Sequence, residues 1–390
     1  MPVINSIADR KEEMTAWRRD IHAHPELGFE EVRTSAIVAE KLASWGIEVH
    51  RGWAKTGVIG VLKGRTDSGR SIGLRADMDC LPMDEVNDFP HRSTVPGKMH
   101  ACGHDGHTTM LLGAAQYLAE TRNFDGTVHF IFQPAEEGGG GGEVMVKEGL
   151  FDKFPCDEVY GLHNWPLMPA GVIGVRPGPM MAAADMFEIK IRGVGGHAAI
   201  PQKAKDPVVI AAQLVTALQT LVSRNANPMD AAVLSVTQIH TGTTHNVIPD
   251  EASLTGTVRT FRAEVQEMIV AGMRRIIDGI GAAFGVSIVM DYQYGYPATV
   301  NHADQAEYAA LAAAKIVGDA NVQRDVEPSL GGEDFAYLLN ARPGAYLFLG
   351  QAGGASDAMV HNPHYDFNDE VLPLGASLLA TLVEEQLKVA

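Results

Sequence analysis

Residues 100–107 read His-Ala-Cys-Gly-His-Asp-Gly-His and place three histidines, one cysteine and one aspartate within eight positions. Thiolate, imidazole and carboxylate groups are the ligands that Zn²⁺ and similar divalent ions prefer. The two glycines allow the backbone to fold tightly enough to turn several of these side chains toward one point. We therefore predict a metal site, with a histidine-rich loop at a helix N-terminus as the alternative. The Cys-x-His spacing is not that of a zinc finger, which disfavours a structural zinc site.

Three other segments carry side chains of the same chemical types. Glu136 and Glu137 follow an apolar run and precede five glycines. In extended backbone, successive side chains point to opposite sides, so one glutamate can bind a metal while the other serves as a general base. His163 follows another apolar run, and either His361 or His364 can be a ligand or a surface residue. A solvated turn and a structural histidine are the alternatives for the first two segments.

Short apolar runs precede these segments and predict the strands of a buried sheet. They cover residues 56–62, 71–76, 127–132 and 158–162, and they alternate with predicted helices over 13–23, 32–45 and 108–120. Near-continuous apolar strands between helices are typical of a mostly parallel sheet with both faces covered. Ligands of open α/β sheets bind beyond the carboxyl ends of the strands, which is where the polar segments fall.

The pattern changes near residue 185, and a second domain begins. The predicted elements there are a strand over 186–192, a helix over 207–223, strands over 231–239 and 252–261, a helix over 263–284 and a strand over 286–292. This β-α-β-β-α-β order is the ferredoxin-like signature. Helices predicted over 305–317 and 374–388 return to the first pattern. We therefore predict an α/β protein with a discontinuous domain of residues 1–184 and 296–390, and an inserted domain of residues 185–295.

The composition is that of an ordinary globular protein, and the net charge limits the classes of partner that the protein can bind. The 390 residues are 46% hydrophobic and 20% charged, with a formal net charge of −17. This charge disfavours nucleic acid and anionic membranes, although one local arginine can still hold an anionic substrate. No signal-like segment opens the chain, and no apolar run reaches membrane-spanning length. Three scattered cysteines favour a reducing compartment, so we expect a cytoplasmic protein.

Taken together, these segments resemble the dinuclear zinc metallopeptidase family that includes aminoacylases and glutamate carboxypeptidases. Within that family the chain is most similar to the subgroup of hippurate hydrolases, N-acyl-amino-acid amidohydrolases and plant auxin-conjugate hydrolases. The matching segments span nearly the whole chain in order, and they are specific jointly although each alone is weak to moderate. They are His22–Leu27, Arg75–Asp79, Met99–His107, Gln133–Glu137, Gly161–Asn164, Gly195–Ala198, Asn246–Pro249, Gly331–Phe335 and His361–Asp366.

The resemblance implies a centre of two divalent metal ions and leaves Zn²⁺, Mn²⁺, Ni²⁺ and Co²⁺ as alternatives, which a thiolate ligand suits to different degrees. Cys102 would bridge the two ions, and Glu136 would be the general base. The other implied ligands are His104 and His163 for one ion, and Glu137 and His361 for the other.

Two positions depart from the wider family. Most relatives outside the subgroup have a His-x-Asp motif and a bridging aspartate, whereas this chain has Arg75 and Cys102 at those places. The first histidine ligand would then be His104. Asp105 is expected to orient the ligands, His107 to begin the following helix, and His100 has no assigned role.

In the inserted domain the resemblance implies substrate contacts. His197, on a glycine-rich loop, would stabilise the oxyanion from within the same chain or from a dimer partner. Asn246, Arg259 and backbone groups near Gly332 would hold the substrate carboxylate, for which a planar guanidinium is suited. From the residues alone, turn chemistry and a surface arginine explain these positions equally well. We expect a homodimer or homotetramer formed through this domain, although the apolar residues spaced helically over 208–221 can instead be core.

The implied reaction is hydrolysis of the amide bond of a small N-acyl-L-amino acid, which releases an amino acid and a carboxylic acid. An N-acetyl-diaminopimelate deacetylase and a dipeptidase or carboxypeptidase are alternatives that use the same chemistry. A non-catalytic metal-binding or ligand-binding protein is a remote alternative, because every implied ligand and the implied base are present.

Overall fold

The computed structural model describes residues 3–354, 356 and 358–389. The chain forms two compact units. The first unit runs through Met180 and also includes Val300–Glu327 and the chain from Asp334 onward, and the second contains Met181–Thr299 and Pro328–Glu333. The sequence predicted residues 185–295 as the insert, without the short segment Pro328–Glu333. That segment groups with the second unit because the amide of Ala182 donates hydrogen bonds to the carbonyls of Ser329 and Gly331, at 3.1 and 3.0 Å.

The helices and strands follow one another in an order that alternates between the two types over most of the chain. Up to Met181 they are α1 (Asn5–Ala8), α2 (Lys11–Ala23), α3 (Val32–Ser44), β1 (Glu48–Trp53), β2 (Gly57–Lys63), β3 (Thr66–Asp77), α4 (His104–Thr121), β4 (Asp125–Gln133), α5 (Gly141–Lys147), α6 (Leu150–Lys153), β5 (Glu158–Pro169), β6 (Ile173–Gly174) and β7 (Gly178–Met181). The elements that follow are β8 (Ala183–Arg192), β9 (Gly196–His197), α7 (Pro207–Thr220), β10 (Ala232–Thr241), β11 (Val247–Ile248), β12 (Glu251–Thr260), α8 (Ala263–Phe284) and β13 (Ser287–Tyr296). The last are β14 (Thr299–Asn301), α9 (Ala303–Val317), β15 (Val322–Gln323), α10 (Phe335–Ala341), β16 (Gly344–Ala352) and α11 (Leu372–Gln386).

An eight-stranded sheet in the order β1-β2-β4-β3-β5-β16-β6-β15 forms the centre of the first unit. Strand β3 lies parallel to β4 and β5, and β5 lies parallel to β16. Residues of β4 from Val128 to Gln133 are all buried, as expected for a strand that is covered on both faces. Helices α4 and α11 are buried along most of their length and belong to the same core. The predicted mostly parallel α/β architecture is confirmed.

The second unit has a four-stranded antiparallel sheet in the order β10-β12-β8-β13. Its chain order is β8-α7-β10-β12-α8-β13, which confirms the predicted ferredoxin-like sandwich. Strand β8 alternates buried and exposed residues, so only one face of the sheet is covered. Ile189, Leu214 and Ile269 are fully buried in the core between that face and the two helices.

One helical segment of the second unit is long and apolar. Helix α7 and its π-helical end, together Pro207–Asn225, are long and apolar enough by length and composition to cross a membrane. Gln213 and Gln219 interrupt its apolar sequence. Its buried side chains, which include Ile210 and Leu218, belong to the core of the second unit. Amphipathic core helices satisfy the same length and composition test, so this packing explains the apolar content of the segment.

Candidate metal centre

Two groups of potential metal ligands lie at the carboxyl edge of the first unit's sheet. Within each group, the ligand atoms are all within 4.8 Å of one another. The first group contains Cys102, His104 and His163, and the second contains Cys102, Glu137 and His361. The family resemblance implied this division of the five residues, with Cys102 common to both groups. His364 is in none of the ligand groups found among the described residues.

His163 is oriented by its neighbouring backbone. Its Nδ1 lies 2.7 Å from the carbonyl oxygen of Asn164, so Nδ1 carries the proton and Nε2 has the free lone pair. Nε2 lies 3.3 Å from the Sγ atom of Cys102. Burial, together with the nearby His107, holds the pKa of His163 well below its usual range. A neutral imidazole with its lone pair directed at a thiol is suited to metal binding.

His104 stands at the first position of α4 and faces three carboxylates. Its Nδ1 lies 3.3 Å from Oδ1 of Asp79, while its Nε2 is buried and has no hydrogen-bond partner among the described residues. Nε2 is 4.0 Å from Oε1 of Glu137 and 3.7 Å from Oδ2 of Asp77. Burial lowers the pKa of His104, but Asp77 and Asp79 outweigh it and raise this pKa to about 10. The pocket therefore favours positive charge, and a divalent cation would take the place of that proton.

The second group depends on a loop far along the chain. Oε1 of Glu137 lies 3.2 Å from Nε2 of His361 and is otherwise a buried oxygen without a hydrogen-bond partner among the described residues. The amide of His361 donates to the carbonyl of Ala101 at 2.7 Å, which ties this loop to the backbone beside Cys102. The φ angle of His361 is +63°, a left-handed conformation that costs energy for a residue with a Cβ.

The thiol of Cys102 needs a compensating cation to ionise. Burial, followed by the carboxylates of Glu137 and Glu136, raises the pKa of Cys102 well above its usual range. A metal ligand must be the thiolate. Because an orphaned imidazole nitrogen and an orphaned carboxylate oxygen surround this thiol, the donor set fits a pair of divalent metals. The residues that would hold them are Cys102, His104, Glu137, His163 and His361.

Glu136 is positioned beside these ligands by its own backbone. Asp79 accepts hydrogen bonds from the amides of Glu136 and Glu137, at 3.0 and 2.9 Å. The Oε1 atom of Glu136 accepts a hydrogen bond of 3.4 Å from the amide of Asp334. One carboxylate oxygen of Glu136 lies within 4.8 Å of ligand atoms of His104 and Glu137. A carboxylate next to, and partly enclosed by, potential ligands can accept a proton from a water molecule at the same place.

Arg75 stands where most of the wider family has a histidine, and it connects several polar side chains at this edge of the sheet. It is buried, and it donates to Oε1 of Gln133 at 2.9 Å, to Asp77 at 2.7 Å and to Asp334 at 2.9 Å. Asp334 also accepts hydrogen bonds from Gln133 and from the amide of Gly142. The arginine thus joins the ends of β3 and β4 to the segment that contacts Glu136.

The structure corrects the sequence-based role of Asp105 and adds contacts for His107, which lies in the first turn of α4 as predicted. Asp105 does not orient a ligand: its Oδ2 lies 2.8 Å from Nδ1 of His22 and 3.6 Å from a guanidinium nitrogen of Arg18. His107 is more than the start of a helix, because its Nδ1 lies 2.6 Å from Asp77 and its Nε2 lies 2.6 Å from Oδ1 of Asn164. Both ring nitrogens of His107 are therefore engaged by neighbouring side chains, and His107 also lies in a potential ligand group with Asp77 and His104. Asp79, in a matching segment for which the sequence predicted no role, instead contacts Nδ1 of His104 at 3.3 Å, and Asp77 of the same segment contacts His107.

His100 is also buried, and neither of its ring nitrogens has a hydrogen-bond partner among the described residues. Burial lowers the pKa of His100 to about 4, so it is neutral. It belongs to none of the ligand groups found among the described residues.

The predicted substrate contacts all lie in the second unit, where they form two pairs. His197 pairs with Val247 across the ribbon β9–β11, and the carbonyl of the adjacent Asn246 accepts the amide of Ala198 at 3.1 Å. Arg259 is in register with Ala184 on the neighbouring strand β8. Gly332 approaches the same alanine so closely that a Cβ on the glycine would lie 2.8 Å from the Cβ of Ala184. The second unit therefore brings His197 near Asn246 and Arg259 near Gly332.

Comparisons with known proteins identify relatives that match most of the chain. The family described as Peptidase family M20/M25/M40 matches residues 73–385. The chain is 41% identical to hippurate hydrolase of Campylobacter jejuni, with all of both chains covered. It is also 41% identical to N-acetylcysteine deacetylase of Bacillus subtilis, with 94% of each chain covered.

A solved structure described as a dinuclear metal-binding peptidase of the M20 family, YXEP of Bacillus subtilis, is 36% identical and superimposes with a TM-score of 0.85. It covers 98% of this chain and 100% of its own. The extent of these matches, together with the ligand groups at the sheet edge, shows that the chain belongs to peptidase family M20/M25/M40 and is a metal-dependent hydrolase.

Proposed function

We propose that the protein hydrolyses the amide bond of N-acyl-L-amino acids with the help of two divalent metal ions. The observation that carries this proposal is the sharing of Cys102 between two ligand groups, with Glu136 directly beside both. The relatives named hippurate hydrolase and N-acetylcysteine deacetylase support an N-acyl amino acid as the substrate class.

In this mechanism a bound pair of divalent ions supplies Lewis acidity to the scissile carbonyl and lowers the pKa of a water molecule. Glu136 accepts the proton of the attacking water and later delivers it to the leaving amine. The amide of Asp334 holds Oε1 of Glu136, so the carboxylate meets the water in a fixed orientation. Burial of Glu136, which is 7% exposed, limits competing solvent at that carboxylate.

The second unit is proposed to supply the contacts to the amino-acid half. Arg259 and Asn246, with backbone groups near Gly332, would bind its carboxylate, and His197 would donate a hydrogen bond to the developing oxyanion. Half-exposed apolar side chains on α7, Val208 and Val209, support a homodimer or homotetramer formed through this unit, whereas Ala211 and Leu218 belong to its core. A cytoplasmic location remains a prediction.

Glu136→Gln tests the central role. The variant keeps the size of the side chain but cannot accept a proton, so kcat is expected to fall by about 10²-fold or more. Bound metal, measured by elemental analysis, should stay near the wild-type ratio because no assigned ligand changes. The matched control is Glu143→Gln, an analogous change at a half-exposed glutamate on α5, which should keep wild-type kcat. A kcat of Glu136→Gln close to wild type would remove Glu136 as the base.

The substrate class is tested by a hydrolysis panel of N-acetyl, N-benzoyl and indole-acetyl amino acids, N-acetyl-diaminopimelate and dipeptides, each with added Zn²⁺, Mn²⁺, Co²⁺ or Ni²⁺. We expect the N-acyl amino acids to be cleaved faster than dipeptides. Preferential cleavage of dipeptides would favour the peptidase alternative, and turnover of N-acetyl-diaminopimelate alone would favour the deacetylase alternative.

A further inference from the structure

The segment Glu26–Glu31 lies against the catalytic edge of the first unit and has no task in the proposed mechanism. The amide of Cys80 donates to the carbonyl of Glu26 at 2.9 Å, so the segment is attached to the backbone beside Asp79. The carboxylate of Glu26 accepts the amides of Arg33 and Thr34, both at 2.9 Å. These bonds anchor the segment to the first turn of α3, where free amides need acceptors.

Glu31, at the other end of this segment, is fully buried. Its Oε1 accepts the amide of Ala135 at 2.8 Å, and its Oε2 accepts the hydroxyl of Thr56 at 2.5 Å. Burial raises the pKa of Glu31 to about 7. Burying a carboxylate is costly unless its oxygens are hydrogen-bonded, and here one oxygen is committed to a single backbone amide.

The amide that Glu31 holds belongs to a strained residue directly before Glu136. Ala135 has a φ of +55°, a conformation that is unfavourable for an L-residue with a Cβ. Its neighbours Glu136 and Glu137 donate their amides to Asp79. The carboxylates of Glu31 and Asp79 therefore accept the amides of three consecutive residues, 135–137. These bonds restrain the loop that carries Glu136 from both of its ends.

The approach of the segment to this loop is close. A Cβ on Gly28 would lie 2.9 Å from the Cβ and 3.0 Å from the Cα of Ala135, which leaves no room for any larger residue. The segment thus contacts the backbone of Ala135 directly, next to the bond between Glu31 and the same residue.

We propose that Glu31 is a positioning residue for Glu136, and that it acts by holding Ala135 in its left-handed conformation. This inference rests on the proposed function, in which Glu136 is the general base. Without Glu31, Ala135 relaxes toward negative φ and turns the Cα of Glu136, while Asp79 still retains the amide of Glu137. The expected consequence is a misplaced base beside a metal centre that remains loaded, because a shift of about 1 Å at a reacting group costs up to about 10²-fold in rate.

The test compares Glu31→Asp and Glu31→Gln with the matched control Glu30→Asp. The shorter aspartate cannot reach Ala135 and Thr56 together, so kcat is expected to fall at least about tenfold. The KM and the ratio of metal to protein should stay within about twofold of wild type. Glutamine keeps an oxygen for Ala135 and an amide group for Thr56, so Glu31→Gln should recover kcat to within about threefold of wild type. Glu30 is exposed, so Glu30→Asp should leave kcat, KM and the ratio of metal to protein at their wild-type values.

Three results would overturn the inference: wild-type kcat in a folded Glu31→Asp, a loss of activity that excess metal restores, or a Glu31→Gln as slow as Glu31→Asp. Thermal unfolding of each variant shows whether it is folded, and if Glu31→Asp is unfolded, Glu31→Asn takes its place and is judged by the same kcat criteria. Glu136→Gln is measured in parallel. If Glu136→Gln is active, the proposed function fails, whereas an inactive Glu136→Gln with an active Glu31→Asp overturns only the role of Glu31.

Discussion

At the scale of single residues, Cys102 is the side chain on which both ligand groups depend. Its thiol is fully enclosed among carboxylates and lies 3.3 Å from His163. We expect Cys102→Ala to reduce bound metal below two ions per chain, because neither group keeps three ligands. Elemental analysis of the purified variant measures this ratio. Cys80→Ala is the control, since Cys80 is equally buried but is in none of the ligand groups found among the described residues. An unchanged ratio in Cys102→Ala would rule out its role as the bridge.

Helix geometry explains which residue roles were predictable from sequence. The five ligand residues were identified by resemblance, and the structure places them in two groups with the expected shared cysteine. Asp105 was misjudged because consecutive residues on a helix do not face each other, so it points away from His104 toward His22. His107 is three residues from His104 and therefore shares its face, with ring centroids 5.4 Å apart. This spacing was visible in the sequence, but the acceptor on Asn164 was not.

At the scale of elements, the start of α4 depends on a glycine. Gly103 has a φ of +98°, and a Cβ there would lie 2.3 Å from Oδ1 of Asn164. That oxygen is also bonded to His107, so it cannot move aside without breaking the support of the ligands. Gly103→Ala should therefore lower the free energy of unfolding by about 2 kcal/mol or more and reduce bound metal.

Urea unfolding with elemental analysis measures both effects of Gly103→Ala. The control is Gly279→Ala on α8, where the added Cβ meets no atom within 4 Å. This control should raise the free energy of unfolding by up to about 1 kcal/mol, because alanine favours a helix more than glycine does. Equal stability of Gly103→Ala and wild type would show that the helix start tolerates a side chain.

The hydrophobic periodicity of the sequence predicted which long helices and strands exist more accurately than it predicted the residues at which they begin and end. Helix α8 matches its predicted range, and the central strands differ from theirs by a few residues. Strand β5 continues to Pro169, well past the predicted end at residue 162, because pairing with β16 extends it through the polar residues after Leu162. Such pairing depends on a strand almost two hundred residues away, which local sequence patterns do not record.

At the scale of the whole molecule, the stability of the first unit should depend on pH through His22. Burial lowers the pKa of His22, but its hydrogen bond to Asp105 outweighs burial and raises this pKa to about 9. The folded chain then keeps a proton that the unfolded chain loses near pH 6.5. The contribution of His22 is therefore complete below about pH 6.5 and disappears as the pH rises through about 9.

We expect His22→Gln to cost more stability at pH 6 than at pH 10, by roughly 3 kcal/mol. Urea unfolding of wild type and variant across this range gives the difference. His24→Gln, at an exposed position just past the end of the same helix, is the control and should show no such trend. A cost of His22→Gln that is the same at both pH values would contradict the charged pair.

The division into units shows a limit of prediction from sequence. Alternation replaces continuous apolar runs where the sheet has one exposed face, and this change of pattern predicted an insert over residues 185–295. The segment Pro328–Glu333 was assigned to the first domain, yet it groups with the second unit through backbone hydrogen bonds to Ala182. Hydrogen bonds between backbone groups do not require particular residue types. The sequence therefore contains no pattern from which these bonds could be predicted.

The order of the metal ligands along the chain has a consequence for biosynthesis. Cys102 and His361 are 361 − 102 = 259 residues apart, and the main segment of the second unit lies between them. At a translation rate of about 5–20 residues per second, the last ligand leaves the ribosome roughly 13 to 52 s after the first. The inserted unit can fold within that interval, since its core is continuous in sequence apart from the short segment 328–333. The first ligand group of Cys102 is therefore available once His163 has been translated, whereas the second group is completed only while the last tenth of the chain is being made.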